Sequence, residues 1–182
     1  MIKIELFKSI IGQEKLNQDL SVLSKLAFDI EKQKNKVIKS NVGGFNSGSI
    51  DPSLVSNLTK DILYFGNIFG KNFNLKEKLK LSNIWININR FKDSNMQHTH
   101  PFSKISGVFY VKVPNNSGNL VFINPHRIEH FLTVDNFNEF NSETWSFTPK
   151  ENILYLFPSW LEHRVNMNLS KEERISVSFN LI

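Results

Sequence analysis

His98 and His100 stand two residues apart, His163 follows after a long gap, and Arg174 comes shortly after it. In an extended segment alternate side chains leave the same face, so His98 and His100 would present two imidazoles to one ion. The chain has no cysteine, so a metal could be held only by imidazole, carboxylate, amide or water. On the run Arg174-Ile-Ser-Val-Ser-Phe-Asn-Leu181, the arginine shares one face with Ser176 and Ser178. Ile175, Val177, Phe179 and Leu181 share the other. A guanidinium turned into a barrel interior needs an anion. A carboxylate ligand would supply one through paired hydrogen bonds that only arginine offers. The chemistry these residues could do together is that of a divalent metal on an imidazole face beside an anchored organic acid. Each also has a plainer reading: a surface histidine pair beside Pro101, a structural His163, a solvated Arg174.

Such residues converge only if the second half of the chain closes into a small barrel, and its pattern predicts one. Ile84, Ile86 and Ile88 alternate with Trp85, Asn87 and Asn89, the period of a strand. Further strands are expected at 105–113, 119–123, about 144–147, 153–157, 163–167 and 174–181, separated by turns such as Pro114-Asn-Asn-Ser-Gly118 and Asn124-Pro125. Short strands at this spacing indicate an antiparallel sandwich or barrel. Ahead of them, Leu16, Leu20, Leu23, Leu26 and Ile30 recur every three or four residues and predict an amphipathic helix over about 13–35. Residues 41–49, with Gly43, Gly44 and Gly48, read as a loop. Asp51-Pro52 opens a second helix that runs through Leu54, Leu58, Ile62 and Phe65 to about Gly70. The fold class is mainly β with N-terminal helices, a jelly-roll or cupin-like barrel. Residues 1–80 form a helical support and 81–182 the core, within one domain.

Composition narrows the setting. With 182 residues, 40% hydrophobic, the chain can bury a full core without disulfides. The net charge of +5 is dispersed, its lysines interleaved with acids as in Lys171-Glu-Glu-Arg174, so a nucleic-acid role is not supported. The charged start, Met1-Ile-Lys-Ile-Glu-Leu-Phe-Lys8, does not read as a signal peptide, and no apolar run approaches the roughly 18 residues of a membrane span. A cytoplasmic protein is expected. The N-terminal helices could pack on the barrel or on a second copy, giving a homodimer.

Several segments, in order, carry a resemblance: Ser40-Asn-Val-Gly-Gly-Phe-Asn-Ser47, Trp85-Ile-Asn87, His98-Thr-His-Pro-Phe-Ser-Lys-Ile-Ser-Gly-Val-Phe-Tyr-Val111, Gly118-Asn-Leu-Val-Phe122, Leu156-Phe-Pro-Ser-Trp-Leu-Glu-His-Arg-Val165 and Arg174-Ile-Ser-Val-Ser-Phe-Asn180. Over residues 40–182 the chain resembles the iron(II)- and 2-oxoglutarate-dependent oxygenases, in a branch with an HxH…H…RxS pattern. The resemblance implies a double-stranded β-helix with Fe(II), 2-oxoglutarate and dioxygen as reagents. It implies metal ligands at His98, His100 and His163, and a co-substrate anchor at Arg174 with Ser176 beside it. His100 departs from the superfamily, which has aspartate there. Tyr110 could hydrogen-bond the co-substrate, and Asn87, opposite the isoleucines, could orient a ligand. His126 and Arg127, in a loop near the expected mouth, are candidates for substrate contact. Asp93 is the carboxylate nearest the first histidine and reads as a loop residue. The implied activity is hydroxylation of a small molecule or a protein side chain, with release of succinate and CO2. The alternatives are a three-histidine iron dioxygenase without 2-oxoglutarate and a non-catalytic jelly-roll binding protein.

Overall fold

The computed structural model describes residues 1–2, 4, 6–126 and 133–182. In chain order the elements are β1 (Gly12–Lys15), α1 (Leu20–Gln33), β2 (Asn41–Val42), β3 (Phe45–Asn46), α2 (Ser56–Gly70), β4 (Leu81–Asn89), β5 (Ser94–His98), β6 (Ile105–Lys112), β7 (Leu120–Ile123), β8 (Thr144–Phe147), β9 (Ile153–Pro158), β10 (His163–Val165) and β11 (Arg174–Leu181). They build two antiparallel sheets, a six-stranded one in the order β1-β9-β6-β11-β4-β3 and a five-stranded one in the order β2-β5-β10-β7-β8. The sheets face each other as a double-stranded β-helix without a ladder joining them.

Period-two alternation sorts the side chains of the large sheet into two interiors. On one side Ile84, Ile86 and Ile88 of β4 meet Ile175, Val177, Phe179 and Leu181 of β11. This surface packs against Leu23, Ala27 and Ile30 of α1 and Leu58, Ile62 and Phe69 of α2. On the other side Tyr110, Tyr155 and Phe157 pack against Leu120 and Phe122 of the small sheet. The helices therefore support the sheet from behind, and the space between the sheets is left for polar groups from β4 and β11.

Three local features differ from the sequence pattern. The apolar period starting near residue 13 is not helical throughout: residues 12–15 pair with β9, Gly12 opposite Leu156 and Lys15 opposite Ile153. The helix begins only at Leu20, where the Asp19 carboxylate accepts the N–H groups of Ser21 and Val22 at 3.0 and 3.1 Å. Hydrogen bonds to a sheet edge outweigh a helical period there. The loop at 41–49 contains β2 and β3, joined through Gly43 and Gly44, both at positive φ. Ser94–His98 forms a strand although its residues carry no apolar alternation, because it lies between β2 and β10 in the small sheet.

The second helix starts as the Asp51-Pro52 pair predicts: Asp51 accepts the Ser53 N–H at 2.9 Å, and a 3-10 turn over Pro52–Val55 leads into α2. Arg90, just past β4, makes a two-pronged ion pair with Glu31 of α1, both contacts 2.8 Å, tying helix to sheet. No helix among the described residues is long and apolar enough to cross a membrane.

Candidate metal centre and co-substrate pocket

The small sheet brings the histidines together. His98 ends β5 and His163 begins β10, and the two are direct antiparallel partners. His100 lies just past β5, where its N–H donates to the Ser159 carbonyl at 2.9 Å. The ring centroids of His98 and His163 are 4.4 Å apart, those of His98 and His100 5.0 Å, and those of His100 and His163 5.1 Å. One ring nitrogen from each lies within 4.8 Å of the others, the only such set of three potential ligands among the described residues.

Hydrogen bonding sets which nitrogens are available. The Nδ1–H of His98 donates to the Met96 carbonyl at 2.6 Å, and that of His163 donates to the Leu161 carbonyl at 2.9 Å. A neutral imidazole that donates from Nδ1 keeps a lone pair on Nε2, the form a metal takes. The Nε2 atoms of His100 and His163 are 3.3 Å apart. Burial holds all three rings in the neutral state. It pushes His163 down to about 3 and His100 down to about 4, with the neighbouring histidine charge acting the same way, and it also lowers His98. Convergent neutral imidazoles on one face suit a borderline divalent cation such as Fe(II).

Across the gap, the large sheet carries the residues expected to anchor an anion. In register, Arg174 sits opposite Asn89, Ser176 between Asn87 and Tyr110, and Ser178 between Trp85 and Val108. Asn87, Asn89, Tyr110, Arg174, Ser176 and Ser178 line one pocket together with the three imidazoles. Arg174 is 1% exposed. Its Nη1 donates to the carbonyls of Ser117, Gly118 and Asn166. Its Nη2 is buried with no partner, and no carboxylate forms an ion pair with the guanidinium among the described residues. A buried cation with an unpaired donor facing a pocket is costly unless a ligand supplies the acceptor. Gly118 shapes this corner: it sits at φ +88°, and a Cβ there would overlap the backbone at Asn166, one of the arginine's partners.

Tyr110 is fully buried and keeps its proton, burial pushing the phenol up to about 12 against the opposing effect of Arg174. Its hydroxyl makes no hydrogen bond to a described residue and lines the same pocket. Asn87 lies 3.1 Å from the Ser178 hydroxyl and lines the same pocket. His126 is exposed and is not among the residues lining this pocket, and its ring nitrogen lies 3.1 Å from the Phe7 carbonyl. Arg127 lies outside the described residues. Asp93 accepts the Arg90 N–H at 2.6 Å in the turn before β5. Ser40 and Trp85 also border the imidazoles, and the alternation of β4 already placed Trp85 on the face of Asn87.

A double-stranded β-helix with three convergent histidines and a buried, unpaired arginine defines a non-haem metal oxygenase of the 2-oxoglutarate type. Residues 83–180 match the protein family described as "Putative 2OG-Fe(II) oxygenase". The chain belongs to this family of enzymes, whose reagents are Fe(II), 2-oxoglutarate and dioxygen. Family membership sets aside the readings without 2-oxoglutarate or without catalysis. Among solved structures, the chain is similar to a Pseudomonas putida prolyl-4-hydroxylase (15% identity, TM-score 0.66, covering 94% of this chain and 91% of that one). It is also similar to the viral collagen prolyl hydroxylase of Paramecium bursaria chlorella virus 1 in its 2-oxoglutarate complex (11% identity, TM-score 0.65, 94% of each chain). A third is HygX of Streptomyces hygroscopicus with nickel and 2-oxoglutarate bound (9% identity, TM-score 0.64, 94% and 82%). No curated protein matches in sequence.

Proposed function

We propose that this oxygenase hydroxylates a C–H bond of a small molecule or a protein side chain, in the stoichiometry C–H + 2-oxoglutarate + O2 → C–OH + succinate + CO2. His98, His100 and His163 hold the iron, and Arg174 holds the far carboxylate of 2-oxoglutarate. The observation that carries this reading is the buried Nη2 of Arg174, an unpaired donor in the same pocket as three neutral imidazoles. The metal and 2-oxo acid supply the oxidising power when bound.

The chain's own residues bind and orient. Three backbone carbonyls fix Nη1 of Arg174, so Nη2 is presented in one direction and a dicarboxylate is held in one orientation. Ser176 and the protonated Tyr110 donate to the same carboxylate, and Asn87 closes the pocket wall. The Met96 and Leu161 carbonyls hold two imidazoles in the ligating tautomer. Phe157 and Leu120 exclude water from the floor. Residues 1–80 serve as a support for the 81–182 core.

Anaerobic titration with Fe(II) and then 2-oxoglutarate tests this, read by the visible metal-to-ligand charge-transfer band. The band is expected only when both are present and is expected to vanish in His163→Ala. Iron binding without a band on adding 2-oxoglutarate would overturn the role given to Arg174.

A further inference from the structure

Trp85, Ser40, His98 and His100 border a second space besides the inner pocket, an open groove that also takes in Lys39, Asn46, Asn83 and Gln97. With iron and 2-oxoglutarate in the inner pocket, this groove is where a substrate would meet the imidazole face. Two of its carboxamides have an oxygen already engaged by a group that can only donate.

Asn46 gives its Oδ1 to the Gly48 N–H at 2.9 Å. A backbone N–H can only donate, so the orientation of this carboxamide is fixed and its NH2 is the free end. Gln97 gives its Oε1 to the Arg164 guanidinium at 3.5 Å, again a group that can only donate. Asn83 is joined to Ser159 through Asn180 and Ser106, with contacts of 2.9, 2.7 and 2.7 Å among groups that can each donate or accept. The Ser40 hydroxyl and the Asn95 carboxamide, 3.1 Å apart, are likewise able to exchange roles. Lys39 adds an ammonium, and no aspartate or glutamate among the described residues lines the groove.

A wall of hydrogen-bond donors with no anion selects its ligand by charge and polarity. An acceptor-rich molecule satisfies the NH2 groups as it displaces water. A donor-only cation leaves them unpaired and meets Lys39, and each unpaired donor weakens binding by about tenfold. Building on the oxygenase function proposed above, we infer that the substrate is neutral or anionic. It presents carbonyl, carboxylate or phosphate oxygens to Asn46, Gln97 and Lys39, and cationic substrates are excluded.

The test uses protein loaded with 2-oxoglutarate and with Zn(II) as a diamagnetic, inert replacement for iron, observed through its side-chain amide NMR signals. Three probes are titrated separately: methyl phosphate, N-acetylglycine methylamide and methylguanidinium. At least one of the first two is expected to move the NH2 signals of Asn46 and Gln97, and which one does separates an oxyanion from a carbonyl ligand. Methylguanidinium is expected to leave them unmoved. In Asn46→Asp, which keeps the acceptor for the Gly48 N–H but removes the donor, affinity for the acceptor probe should fall by about tenfold or more. Movement of the wild-type signals by methylguanidinium, or by neither acceptor probe, overturns the inference, as does unchanged affinity in Asn46→Asp. The charge-transfer band of the iron-loaded protein tests the inner pocket and the amide signals test the groove, so each can fail alone.

Discussion

Replacing Arg174 by methionine removes the guanidinium while keeping an unbranched side chain of similar length. The structure sets the size of the effect. Nη2 is buried and unpaired, so a bound carboxylate gains a charge-assisted hydrogen bond in a desolvated pocket, and truncating one partner of such a pair costs about 2–5 kcal/mol. Taking about 2.7 kcal/mol, the dissociation constant of 2-oxoglutarate rises about 100-fold. Thermal unfolding under anaerobic conditions with Fe(II) makes this visible. At a 2-oxoglutarate concentration 100 times the wild-type dissociation constant, the ligand stabilises the wild type by about 2.7 kcal/mol. For a chain of this length that raises Tm by roughly 5–10 °C. The same concentration only equals the variant's dissociation constant and stabilises it by about 0.4 kcal/mol, or roughly 1 °C. Fe(II) affinity should change little, because the imidazoles belong to the other sheet. A full 2-oxoglutarate shift in the variant, or parallel loss of Fe(II) and 2-oxoglutarate binding, would refute the assignment.

Three further outcomes are expected. His100→Asp should retain Fe(II), since a carboxylate is an alternative ligand at that position, whereas His100→Leu should lose more than about 100-fold, because even outer partners of a ligand are worth 10–100-fold; anaerobic competition with a coloured chelator measures both. Metal-free protein should lose stability as the pH falls below the unfolded histidine value of about 6.5, because the unfolded chain takes up protons that His163 and His100 refuse until about 3 and about 4. At pH 5 the loss is about 2 kcal/mol for each of these two histidines relative to neutral pH, and it should be smaller in His100→Phe; a flat urea-unfolding profile between pH 7 and 5 would contradict the burial of these rings. Gly107→Ala should lower stability by about 3 kcal/mol, as its Cβ would meet the Phe179 ring and lie 2.5 Å from the Tyr155 carbonyl oxygen; an unchanged denaturation midpoint would show that β6 can shift aside.

The parts of this site that alternate with apolar residues were legible without coordinates. Ile84, Ile86 and Ile88 announce the face that turns away, so Trp85 and Asn87 had to face the interior, and Arg174, Ser176 and Ser178 follow in the same way from β11. The rest depends on partners that carry no residue signature. Arg174 is fixed by backbone carbonyls, which every residue has, and only the glycine at 118 hints at the close approach. Ser94–His98 has no period of its own and becomes a strand because two neighbours supply its hydrogen bonds. The orientation of Asn46 and Gln97, and therefore the donor character of the groove, depends on which atoms of other residues reach their carbonyls. That is a property of tertiary contact rather than of local sequence.

The position of β11 has a kinetic consequence. It is the last strand in the order of the chain, yet it lies in the interior of the large sheet, between β6 and β4. Asn180 and Asn83, which it brings into contact, are 97 residues apart. Such a pairing bears the full entropy of closing a long loop and belongs among the slow, high-contact-order steps of folding. Until it forms, β4 has no partner on that side and Arg174 has no pocket. On the roles proposed for Arg174 and the histidines, earlier, partly folded forms would not hold the co-substrate, and competence to handle dioxygen would arrive together with the finished fold.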